Sequence, residues 1–174
     1  MGIQFETDYN METLTAMAKG LRKTVRRKRS RRVHIFAAVV LILGLLTILA
    51  ATIGGEPLGA SGVVTLLAML VLILATLFED KLNAWFSRKR LLPGTEHAVA
   101  TFEEDGYVSA TSVTESRFSY AQIVAVAETE RYFVFALSSH HTQAYDKRTI
   151  RGGSVEDFRA LIAEKTGKPV EEIK

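Results

Sequence analysis

The chain has no cysteine, which excludes disulfides, thiolate metal sites and a cysteine nucleophile. No G-x-S-x-G elbow surrounds Ser138 or Ser139, so the hydrolase residue types Ser138, Ser139, His140 and Asp146 are read as composition rather than as a triad. Adjacent His140 and His141 cannot both ligate one metal from a strand, and no His/Asp/Glu set stands nearby at ligand spacing. Gly152-Gly153-Ser154 lacks the lysine of a phosphate loop and reads as a helix cap. No catalytic set, metal or cofactor is therefore expected, and the expectation is a non-enzymatic protein.

Charge is abundant but segregated. Residues 1–93 carry 13 Lys/Arg against 6 Asp/Glu, and residues 94–174 carry 9 against 13. The basicity belongs to the first half, so a nucleic-acid partner is not expected for the acidic second half.

Two apolar runs explain the first half. Val33–Ile53 and Leu58–Phe78 are each long enough to cross a bilayer, and the Glu56-Pro57 step between them breaks the helix. The polar sequence ahead of the first run argues against a removable signal. Neither run holds an ionisable residue at midspan, which speaks against a transport pathway. Lys and Arg flank both runs, and the loop 54–62 has none, so both termini are expected on the cytoplasmic side of an inner (plasma) membrane. Trp85 and Phe86 suit an interfacial anchor. Ala37, Gly44 and Ala51 in the first run, and Ser61, Ala68 and Ala75 in the second, are expected to form the seam of the hairpin.

Ahead of the first run, Met11, Leu14, Ala18, Leu21 and Val25 make a stripe on a helix starting near Asp8 or Asn10. Three roles are open: the stripe lies in the acyl boundary, the basic run only sets topology, or the stripe packs on the soluble domain. Arg26, Arg27, Lys28, Arg29, Arg31 and Arg32 are candidate contacts for anionic headgroups or a partner. No aromatic residue interleaves them, which argues against single-stranded nucleic acid.

Beyond Pro93-Gly94 short segments alternate. Residues 98–103, 107–114, 122–128, 132–138 and 142–145 read as an antiparallel meander, to which residues 2–7 add a strand. A helix follows, capped by Ser154 with Asp157 and carrying Val155, Phe158, Leu161 and Ile162 on its apolar face. Lys147 and Arg148, with Arg151, are candidate contacts for lipid or partner, or else pair with Glu156 and Asp157. The expected class is an α+β membrane protein: residues 1–32 as strand and basic helix, 33–78 as a transmembrane hairpin (33–53 and 58–78), 79–93 as a juxtamembrane segment, and 94–174 as a cytoplasmic β-rich domain with a C-terminal helix, pleckstrin-homology-like in order.

Three features together resemble the YcxB-like family of bacterial membrane proteins. They are residues 3–9 (IQFETDY), the two-run hairpin, and residues 118–128 (FSYAQIVAVAE) leading to 145–150 (YDKRTI). Tyr120 stands where that family usually has tryptophan, and Asp146 where it usually has proline before Lys-Arg. The resemblance implies a membrane protein and names no chemistry. The expected role is protein interaction, sensing or scaffolding at the membrane, through exposed sheet edges. Alternatives are an anionic-lipid-binding surface module and an accessory or immunity-type subunit; a homo-oligomer is compatible with either.

Overall fold

The first strand is built from the chain's beginning but paired with residues beyond both apolar helices. In the computed structural model, which describes residues 2–55, 57 and 59–173, β1 (Ile3–Asp8) lies antiparallel to β2 (His97–Phe102), with Phe5 opposite Ala100. Glu56 and Leu58, at the expected break and start of the second run, lie outside these residues.

Between β1 and β2 run four helices: α1 (Met11–Lys23), α2 (Arg27–Ile53), α3 (Ala60–Leu77) and α4 (Glu79–Arg88). Asn10 caps α1 by accepting from the backbone N–H groups of Glu12 and Thr13. β3 (Gly106–Thr111) and β4 (Glu115–Ser119) complete a first sheet of order β1-β2-β3-β4. β5 (Ala125–Glu128), β6 (Tyr132–Ala136) and β7 (Thr142–Asp146) form a second sheet. It is extended beyond α5 (Val155–Thr166) by β8 (Val170–Glu172), parallel to β5.

Both sheets and α5 bury side chains in one aromatic core. Phe5 and Phe102 come from the first sheet, Phe133, Phe135 and Tyr145 from the second, and Phe158 and Ile162 from α5. The Phe158 ring lies 4.6 Å from Phe5 and 4.7 Å from Phe102, edge to face, a favoured aromatic geometry. Gln4 and Arg151 exchange backbone hydrogen bonds of 2.9 Å, tying β1 to the approach to α5. Ser154 and Asp157 form the expected capping box, and Gly167 ends α5 in the left-handed conformation (φ 63°).

Several sequence-based boundaries shift. The segment 107–114 is strand only to Thr111; the chain then turns at 112–114 and returns as β4, which none of the expected strands covers. That strand is exposed and polar but for Phe118, which stacks on Tyr107, and a single apolar residue gives no alternation to mark it. The segment 122–128 starts as strand only at Ala125, because Ser119 and Gln122 cap each other across a 3-10 turn at Tyr120–Gln122. The meander is thus divided between two sheets, and β8 adds a parallel pair that no sequence alternation announces.

The stripe of α1 is covered by protein. Leu14 and Leu21 are buried, Ala16 and Met17 pack against Ala127, Tyr132, Val134 and Ala144, and Thr13 donates to the Tyr132 hydroxyl at 3.2 Å. A Cβ on Gly20 would sit 2.7 Å from Val134 Cγ1, so only glycine allows this approach. Of the stripe itself Leu14 and Leu21 are buried and Met11, Ala18 and Val25 partly covered, while the side of α1 that packs on the second sheet is the neighbouring one of Thr13, Ala16, Met17 and Gly20.

α2 and α3 are long and apolar enough to cross a membrane. Their seam matches the expectation on one side only. On α2 it runs through Ala37, Gly44 and Ala51, at which side chains are wholly or partly covered. On α3 it is the face of Gly62, Thr65, Met69, Leu72 and Thr76 that is partly covered, while Ser61, Ala68 and Ala75 are exposed. The reason is the notch at Gly44: a Cβ there would lie 2.9 Å from Met69 Sδ, so a bulky knob fills it instead of a second small residue. Gly44→Leu should accordingly destabilise the helix pair by roughly 1–3 kcal/mol through overpacking, whereas Ala68→Leu should stay within about 0.5 kcal/mol. Thermal unfolding of the detergent-solubilised chain separates the two.

Candidate functional site

Where α1, the start of α2, α4 and the β6–β7 turn converge, a cleft of about 760 Å³ opens. Its floor is apolar, from Leu14, Met17 and Leu21 of α1. Its walls are basic: Arg26 and Arg29 from the α1–α2 corner and α2, Arg90 from just beyond α4, and His140 and His141 from the β6–β7 turn. Ser30, Asn83, Ser87 and Thr142 add hydroxyl and amide groups, and Val33 of α2 and Phe86 of α4 are apolar residues on its lining.

Of the acidic groups at the cleft, Glu79 lies on its lining and Asp80 beside it, and both are engaged. Asp80 takes a two-pronged bond from Arg22, at 2.7 Å to Nε and 2.6 Å to Nη2, which pushes the guanidinium pKa further up. Glu79 faces His34 Nε2 at 3.1 Å and Arg22 Nε at 3.8 Å. These pairs and the buried Ala84 fasten α4 to α1 and α2. Arg26 donates to the Ser139 carbonyl at 2.6 Å, pinning the β6–β7 turn against the helices. Arg29 and Arg90 have no acidic partner among the described residues.

The two groups of candidate contacts do not come together. Arg26 and Arg29 line the cleft, while Arg27, Lys28, Arg31 and Arg32 are exposed outside it. Lys147 and Arg148 lie elsewhere, on a 3-10 turn after β7, and are paired internally, though not with Glu156 and Asp157. Lys147 Nζ donates to Glu128 at 2.8 Å, and Arg148 Nη2 to Asp146 at 3.0 Å. Arg159 grips Glu128 with two bonds of 2.7 Å, and Arg131 reaches Asp146 and also Glu12 of α1. The Glu128 carboxyl is held below its usual range by the Arg159 hydrogen bonds and, after the opposing effect of burial, by Lys147. Sequence reasoning missed Arg90, Asn83 and Ser87; His140 and His141, read as solvated turn residues, are exposed at the rim of the cleft. Only the fold of α4 back along α1 brings these groups together.

Ser139 Oγ does lie 2.7 Å from His140 Nδ1, but Asp146 is buried at the opposite end of β7 and occupied by two arginines. The residues therefore assemble no triad.

Residues 102–162 match the family model of YcxB-like proteins. Over this stretch, about a third of its length, the chain is similar to YcxB-like proteins. No curated protein and no solved structure matches it. Within the stretch, the Tyr120 hydroxyl donates to the Glu103 carbonyl at 2.6 Å, and burial pushes its pKa up to about 12. Asp146, the position at which the resemblance leads one to expect proline, does what a proline ring cannot. Its N–H donates to Thr7 Oγ1 at 3.1 Å, and its carboxylate accepts from the Arg148 N–H at 3.0 Å, capping the turn at Lys147–Thr149.

Proposed function

We propose that this is a non-enzymatic inner-membrane protein in which α2 and α3 cross the bilayer as a hairpin, both termini face the cytoplasm, and the two-sheet domain is a rigidly mounted interaction or sensing module. One observation carries this reading: α1 and α4, the two helices that flank the hairpin, are locked together by Arg22, Asp80 and Glu79, and α1 is packed into the second sheet. A displacement at the domain is thereby handed to the base of the hairpin without a flexible linker. The order of two sheets and a closing helix supports a pleckstrin-homology-like layout. The two buried carboxylates of residues 102–162, Glu128 and Asp146, are spent on internal pairs, which supports a structural rather than chemical use for them. Strand addition at the outer edge of β4 is disfavoured by its Glu115 and Arg117, charged side chains of the kind that blunt sheet edges.

The absence of native cysteine makes the topology directly testable. Gly59 has open space around it. A Gly59→Cys chain should react with a membrane-impermeant maleimide in intact cells, and Ser116→Cys should react only after permeabilisation. Equal labelling of both sites in intact cells would overturn the orientation.

A further inference from the structure

We propose that the cleft between α1, α4, the start of α2 and the β6–β7 turn is a binding site for the phosphate headgroup of an anionic glycerophospholipid. The inference rests on the hairpin being membrane-embedded, and it assigns that reading a ligand. Arg29 and Arg90, from segments about sixty residues apart in sequence, present guanidinium groups to one cavity with no acidic partner among the described residues. Like charges on one cavity repel unless an anion lies between them, and Glu79, the carboxylate on the lining, is taken by His34 and Arg22. Arginine's planar fork matches phosphate oxygens two at a time, which a diffuse topology signal does not require.

The rest of the lining fits the remainder of such a molecule. Ser87 and Asn83 lie on the same α4 wall as hydrogen-bonding groups for a polar headgroup alcohol. Phe86, on that wall, and Val33, at the foot of α2, are exposed and apolar, so acyl chains leaving the cleft would run along the hairpin. A volume of about 760 Å³ is that of a small-ligand site. The lining includes Val33, the first residue of the first apolar run. Arg27, Lys28, Arg31 and Arg32 point outside this cavity and take no part.

Native mass spectrometry of the full chain released from detergent, with phosphatidylglycerol or phosphatidylcholine added, tests this without depending on topology. The intact chain should retain phosphatidylglycerol and discriminate against phosphatidylcholine. Arg29→Gln with Arg90→Gln should weaken retention roughly tenfold or more, given the strength of charge-assisted bonds. Arg27→Gln with Arg31→Gln, the same charge change outside the cleft, should leave it intact. Ser87→Trp, which keeps every charge and fills the cavity, should also weaken it. Equal loss in both arginine pairs, or no loss with Ser87→Trp, would mean diffuse attraction and overturn the site. Inorganic phosphate displacing the lipid completely at low millimolar concentration would overturn the lipid assignment in favour of a free phosphate. Gly59→Cys labelling that fails while the cleft still holds lipid would count against the hairpin topology alone.

Discussion

Phe5→Ala should lower the stability of the folded domain by about 3–5 kcal/mol, the usual cost of deleting a fully buried phenylalanine. Phe5 is fully buried and touches rings from every part of the core. Phe102 is at 5.8 Å, Phe133 at 6.5 Å, Tyr145 at 5.7 Å and Phe158 at 4.6 Å. Its loss leaves a cavity bounded by both sheets and α5, which cannot collapse together without breaking the Gln4–Arg151 and Thr149–Glu6 bonds that fix β1. Against a typical total of 5–15 kcal/mol this is a severe loss. Chemical denaturation of the solubilised chain, followed by near-ultraviolet circular dichroism, measures it. A loss under about 1 kcal/mol would show that residues 3–8 are not part of the domain. The consequence reaches beyond stability: the domain closes only when the chain has left it, built the hairpin and returned.

That closure was legible in the sequence as a pattern, since Ile3 and Phe5 alternate with Gln4 and Glu6, and a short loop between two apolar runs puts their outer ends on one side. The α5 cap was legible for the same reason: Ser154 with Asp157 satisfies backbone donors locally, whatever else is packed nearby. What stayed hidden depends on contacts distant in sequence. β4 is polar and exposed but for Phe118, β8 is three residues long, and the α3 seam follows a Met69 knob that fits a Gly44 notch. Small residues at seven-residue spacing mark a possible seam but do not say which face the partner helix finds. The cleft was half legible. Arg26 and Arg29 stood out as part of a basic run, but their separation from Arg27, Lys28, Arg31 and Arg32, and their meeting with Arg90 and the His140-His141 turn, follow from α4 packing on α1. Lys147 and Arg148 were read as paired or ligand-seeking. The pairs exist, but with Glu128 on β5, distant in sequence, and with Asp146, two residues before Arg148, rather than with Glu156 and Asp157.

Glu128→Ala should cost about 2–3 kcal/mol, less than the 3–5 kcal/mol of a wholly buried pair because one partner is partly in water. The Glu128 side chain is 5% exposed, Lys147 14% and Arg159 37%, so removal strands the lysine far more than the arginine. Lys147 also lies 5.4 Å from the Phe133 ring centroid, so its ammonium would be left against the aromatic core without its carboxylate. The sign of the pH dependence follows from the depressed Glu128 pKa in the folded chain. The carboxylate's contribution is fully present above the ordinary glutamate value of about 4.3, and is lost as pH falls from there through the lower folded-state value. Below that, protonated and mutant chains should converge. Unfolding free energies measured from neutral pH down to about pH 3 should show the wild-type advantage over Glu128→Gln shrinking only at the acid end. An advantage that is constant across the range would mean that the carboxylate's charge contributes nothing, and that packing alone accounts for the residue.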